Sequence, residues 1–162
     1  MAEINCWLAH SLERVFPASP SRAASTIELA AARNERVSFQ VCVRNSGTKP
    51  VTLKARVDAA GLEVRIRRVG YVPVAHHNTE TPAEELDGLG HLPGYAPDPL
   101  FPENVAVLGL RETHAFWVNV QVPAEAPARV YPLAVRLLAD GEELPPLEVR
   151  LHVSTLVNQG RN

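Results

Sequence analysis

The sequence predicts an all-β fold: a two-sheet antiparallel β-sandwich, Ig-like or jelly-roll-like, with one long irregular loop. Three observations carry this expectation. Apolar and polar residues alternate with a period of two in segment after segment, the signature of strands with one buried and one exposed face. The chain holds 14 prolines in 162 residues, above the average of about 5%, and proline removes a backbone donor and stops helices. Only Ala30-Ala31-Ala32-Arg33-Asn34-Glu35 has helical composition, and so short a run does not stand alone as a helix. A turn between two strands is expected there.

Taken in order, short strands are expected at residues 4–8 and 27–29. Val37, Phe39, Val41 and Val43 then face one way and Ser38, Gln40, Cys42 and Arg44 the other. Val51, Leu53, Ala55 and Val57 repeat the pattern against Thr52, Lys54, Arg56 and Asp58. The turn formers Asn45-Ser46-Gly47-Thr48-Lys49-Pro50 between them suit a hairpin. Leu62, Val64 and Ile66 alternate next, and the phase slips at Arg68-Val69, where a bulge is expected. After a strand at 105–108, Phe116, Val118, Val120 and Val122 form one face and Trp117, Asn119 and Gln121 the other. Tyr131, Leu133, Val135 and Leu137 follow, then Asp140-Gly141, the dipeptide of a tight hairpin with positive φ. Leu147, Val149, Leu151 and Val153 make the last strand. Nine short strands separated by turn signals read as a sandwich spanning residues 1–157, with 158–162 as a linker.

Composition excludes several function classes. The apolar fraction is 46%, the charged fraction 21% and the formal net charge -2, values of an ordinary globular domain. No basic excess points to nucleic acid or an anionic membrane. The first ten residues do not form a signal peptide, and no apolar run approaches the ~20 residues of a membrane span. A soluble chain is expected, cytoplasmic as written, with secretion left open. Cys6 and Cys42 suit one disulfide or two buried apolar fillers.

The search for chemistry yields no catalytic residue and no cofactor. Glu84-Glu85 and Glu142-Glu143 are adjacent carboxyls, whereas glycosidase-type acid–base work needs two set about 5–9 Å apart across a sugar. His76 and His77, followed by Glu80, Glu84, Asp87 and His91, lack the paired spacing of structural zinc sites, so no metal is expected. Ser11, Ser38 and Ser46 lie outside any GxSxG elbow. Lys54, Arg56, Arg65, Arg67 and Arg68 read as solvated strand faces. Exposed aromatics are different, because a flat ring stacks on the apolar face of a pyranose. Trp117, on the polar phase of its strand, is the main candidate platform, with Trp7, Tyr71 and Tyr95 behind it.

The long loop, residues 75–104, holds Pro82, Pro93, Pro97, Pro99 and Pro102. Loops of this length in compact domains are usually functional or disordered. Its second half, with Tyr95 and Phe101, is expected to be ordered, and its first half, around 79–90, mobile. Tyr71, His76, His77, Tyr95, Asp98 and Phe101 are the candidate interface or ligand residues.

Four stretches together resemble a known family. They are Ala31-Ala32-Arg33-Asn34-Glu35 running into Ser38-Phe39-Gln40-Val41; Val69-Gly70-Tyr71-Val72-Pro73-Val74; Pro93-Gly94-Tyr95-Ala96-Pro97-Asp98-Pro99-Leu100; and Phe116-Trp117-Val118-Asn119-Val120-Gln121-Val122-Pro123, with Tyr131 following. In order and spacing they resemble the N-terminal β-sandwich of glycoside hydrolase family 123 and its uncharacterised relatives. Arg129-Val130 depart from the pattern, standing where the family has a glycine before its tyrosine. The resemblance implies a sandwich that precedes a (β/α)8 barrel, whose Asp–Glu pair carries substrate-assisted hydrolysis of N-acetylhexosaminides. No barrel pattern is present, so no catalytic residue carries over. The partner implied is the C-terminal catalytic barrel of the same polypeptide, with a glycan as a further ligand and neither nucleic acid nor membrane. The alternative is an independent carbohydrate-binding or adhesive module.

Overall fold

The computed structural model describes residues 3–59, 61–86 and 88–160. Its strands are β1 (Ile4–His10), β2 (Thr26–Arg33), β3 (Glu35–Asn45), β4 (Val51–Asp58), β5 (Glu63–Val74), β6 (Gly94–Phe101), β7 (Val105–Leu108), β8 (Thr113–Val122), β9 (Val130–Ala139), β10 (Glu142–Glu143) and β11 (Leu147–Val157). The first sheet has the order β1-β3-β8-β5-β6, and the second β2-β11-β9-β4-β7 with β10 paired to β9. Their inner faces share one core. Phe39, Val41, Phe116, Val118 and Val120 from the first sheet meet Leu53, Leu133, Val135, Val149 and Leu151 from the second, all fully buried. Among the described residues the only helical element is a 3-10 turn at Ala83–Glu85, and no helix is long and apolar enough to cross a membrane.

Four details differ from the sequence expectation. First, residues 94–101 are a strand, not loop: β6 pairs antiparallel with β5 along the edge of the first sheet. Proline is tolerated on an edge strand, where a missing N–H faces solvent. Second, β3 and β4 do not form a hairpin. They lie in different sheets, and residues 45–50 arch between them. The arch is held by buried Asn45, whose Nδ2 donates to the Lys49 and Gly109 carbonyls while its Oδ1 accepts from the Gly47 N–H. Third, the second sheet is mixed, because β2 runs parallel to β11. Fourth, the bulge sits one residue further on and belongs to β6: the register slips between Val69 and Tyr71, where two β6 residues oppose Gly70. A Cβ on Gly70 would come within 2.4 Å of the Phe101 ring, so a close approach, not a positive φ, requires glycine there.

Other local signals hold. Asp140 and Gly141 have φ of 50° and 91° and close the β9–β10 hairpin. The turn expected over residues 30–35 is corrected to a single residue: Ala30 to Arg33 continue β2 as strand, and the corner is Asn34 at φ 56°, a conformation asparagine tolerates. Arg33 and Glu35 do not pair with each other. Glu35 Oε2 accepts the Ala32 N–H at 2.6 Å, and Arg33 donates to the Thr155 carbonyl. Asn34 Nδ2 donates to the Asn158 carbonyl, and the Asn158 N–H to Arg33, so this corner ties down the end of β11. Cys6 and Cys42 are free. Cys6 packs toward the inner core and Cys42 on the opposite face of the sheet.

Candidate functional site

The first sheet has an unusual outer face. One part is apolar and covered: Trp7, Ala9, Cys42, Val69 and Ala115 form a second buried cluster with Val15 from the segment 11–25. That segment is fastened by specific bonds. Thr113 donates its backbone N–H to Pro17 and its hydroxyl to Ser19, and Arg44 also donates to the Ser19 carbonyl. Gln40, 4% exposed, uses its side-chain Nε2 to bond the carbonyls of His10 and Glu13 at 3.0 and 2.7 Å. Burial without such partners would cost a few kcal/mol per amide. Burial also pushes the Cys42 thiol well above its ordinary range, so Cys42 is an inert filler and not a nucleophile.

Beyond this cover the outer face turns polar, with Ser38, Asn119 and Arg67 joined by hydrogen bonds. A cleft of about 240 Å³ lies at the boundary, lined by Ser11, Glu13, Arg14, Gln40, Val69, Pro97, Asp98, Leu100 and Trp117. Trp117 is half-buried, packed against the covered cluster. Asp98, which also lines the cleft, lies in the β6 bulge facing Gly70. A larger depression of about 670 Å³ lies on the second sheet around Asp58, Ala134, Arg136 and Glu148. Its guanidinium is already spent, since Arg136 pairs with both Asp58 and Glu143 at 2.9 Å. Those bonds raise its pKa further.

The candidate residues separate into distinct places. Trp117 and Asp98 come together in the cleft. Tyr71 does not join them. Its hydroxyl donates to the Thr113 carbonyl at 3.3 Å, its ring meets His114 edge-on at 5.3 Å, and burial pushes its phenol pKa up. His76 is exposed, whereas His77 Nε2 bonds the Leu92 carbonyl at 2.7 Å. Tyr95 is 59% exposed on the β6 edge. Phe101 lies over Gly70 with Arg68 stacked on its ring at 4.6 Å. Trp7 is no platform, being 1% exposed. Just past the stretch expected to be mobile, His91 stacks on Phe16 at 4.4 Å, and Gly88, within that stretch, also lies against the ring. Among the described residues no group of three His, Cys, Asp or Glu is placed to hold a metal ion; Asp87 lies outside them. The residues sequence reasoning missed are Ser11, Glu13, Arg14 and Gln40. Their signal was the run Ala115-Phe116-Trp117-Val118, apolar at both parities, which marks a strand covered on both faces.

No protein-family model matches the sequence, and neither does any curated protein. Solved structures do share the fold. A family 123 glycoside hydrolase from Clostridium perfringens, studied for glycolipid glycan hydrolysis, superposes with a TM-score of 0.69 at 11% identity. The match covers 95% of this chain and 27% of that one. This chain thus spans about a quarter of that enzyme's length. The likeness is one of fold. Looser matches include AvmM, which catalyses macrocyclisation in alchivemycin A biosynthesis (TM-score 0.46, 10% identity, 100% of this chain and 93% of that one), and the PapD-like domain 7 of human CEP192 (TM-score 0.44, 9% identity, 91% and 98%).

Proposed function

We propose that this chain is the non-catalytic N-terminal domain of a glycoside hydrolase, packing on and orienting a (β/α)8 catalytic barrel of the same polypeptide. One observation carries the reading: nearly the whole chain superposes on about a quarter of a family 123 glycoside hydrolase. The four sequence stretches that resemble that family support it independently. Glu84 and Glu85 lie on an exposed 3-10 turn, and Glu143 is tied to Arg136, so neither acidic pair forms the walls of a cleft. The contact surface of this reading is the β6 edge, where Tyr95, Leu100 and Phe101 are 59%, 41% and 39% exposed. Prolines 97 and 99 stiffen that edge at little entropic cost.

The test is an assay of the purified chain on aryl N-acetylhexosaminides, beside the polypeptide that its reading frame encodes downstream. The chain alone gives no turnover above background, and the longer polypeptide hydrolyses the substrate. Turnover by the chain alone that is abolished by mutating its own residues overturns the reading.

A further inference from the structure

We propose that the cleft between Trp117 and Asp98 binds a single pyranose ring of a neutral glycan, whether or not this domain serves a barrel. The cleft is preorganised by bonds already made inside the chain. Gln40 holds the 10–13 backbone through two carbonyls. Glu13 accepts from the His10 N–H and pairs with Arg22. On the other side the β6 bulge is seated by Phe101 and Pro99 against Gly70. Neither wall must be ordered when a ligand arrives, which removes a usual cost of binding.

Inside these walls the groups match one sugar ring. Trp117 is fixed from behind by the buried cluster and flanked across the sheet by Gln40 and Arg67. Trp117 is the one aromatic side chain among the described residues that line the cleft, and an indole π-face complements the C–H bonds of a pyranose face. Among the described residues, the Asp98 carboxylate and the Ser11 hydroxyl have no side-chain hydrogen-bond partner, and both line the cleft. A carboxylate accepts from two hydroxyls at once, and a serine both donates and accepts, as sugar hydroxyls require. The volume of about 240 Å³ falls below the ~300–1,000 Å³ of drug-sized sites, so it suits one ring and not an extended chain. An organic cation is the other ligand a Trp–Asp pair would attract.

The chain carries two tryptophans, and one is buried, which provides an internal control. The ¹⁵N-labelled chain is titrated with the methyl β-glycosides of glucose, galactose, N-acetylglucosamine and N-acetylgalactosamine while both indole N–H resonances are followed. The Trp117 resonance, assigned by its loss in Trp117→Phe, shifts saturably with at least one glycoside, and that of Trp7 stays. Asp98→Asn, at an exposed position, weakens binding about tenfold or more, the loss expected when a hydrogen bond to a charged group is removed. Ser11→Ala weakens it less. No saturable Trp117 shift with any of the four overturns the proposal, as does a shift unchanged by both Asp98→Asn and Ser11→Ala. An equal response to choline overturns it in favour of a cation site. Should Trp117→Phe fail to fold, Trp117→Tyr gives the assignment and the two rim variants carry the test.

Discussion

The outer faces of the two sheets differ, although both close on the same core. Along β4, β9 and β11 as far as Ser154, buried residues alternate with more exposed ones. The outer side of the second sheet is therefore a solvated surface of paired charges such as Arg150–Glu148 and Arg136–Asp58. In β3 and β8 the alternation fails: residues 39–43 and 113–116 are buried at every position. There the segment 11–25 acts as a third layer over half the sheet, and the cleft opens where that layer stops. A sandwich needs only its inner faces buried. A strand buried on both sides therefore shows where something else rests on the sheet, and the edge of that cover is where a site forms.

The comparison can be broken by mutation. The largest effect is expected in the shared core: Phe116→Ala, at a fully buried position, should cost about 3–5 kcal/mol in denaturant unfolding. The cover should be worth less and fail locally. Phe16→Ala removes the ring beneath His91 and Gly88, and Gln40→Ala strands the Glu13 carbonyl at about 1–3 kcal/mol, while the His10 carbonyl keeps the Glu13 N–H. Either variant should speed alkylation of Cys42. In the wild type, burial raises the Cys42 pKa, so its thiolate is suppressed near pH 8.5 and labelling should be slow, whereas half-buried Cys6 is less shielded. Equal labelling rates for Cys42 in the wild type and in both variants would mean that the segment is no cover. The smallest effect belongs to the second sheet's outer face. Arg150→Ala should lie within about 0.5 kcal/mol, as exposed ion pairs contribute little. A loss of several kcal/mol would show that this face too is a packed one.

The same contrast explains what was legible in the sequence. Strands β4, β9 and β11 announce themselves because each has one wet face. The Asp140-Gly141 turn is equally plain, since its backbone needs positive φ. Strand β6 is hidden by Pro97 and Pro99, which argue against a strand everywhere except at an edge. The arch at 45–50 looks like a hairpin because turn residues encode a reversal, not the sheet that the next strand joins. The parallel β2–β11 pair joins residues about 120 positions apart and leaves no local signal. Of the candidate site, Trp117 and Asp98 are each visible by residue type. Their convergence is not visible, because it depends on Gln40 holding one wall and on a bulge opposite Gly70 turning the other.

The central claim, that this sandwich serves a neighbouring catalytic domain through its β6 edge, is tested most directly at Tyr95. Thermal unfolding is measured for the 162-residue chain and for the polypeptide extended by its downstream sequence, each with and without Tyr95→Ala. Because Tyr95 is 59% exposed and absent from the core, the substitution should change the stability of the short chain by less than about 1 kcal/mol. In the extended polypeptide it should lower the stability or the hydrolytic activity. A loss of several kcal/mol in the short chain, as truncation of a core aromatic costs, or no effect in either, would contradict the account.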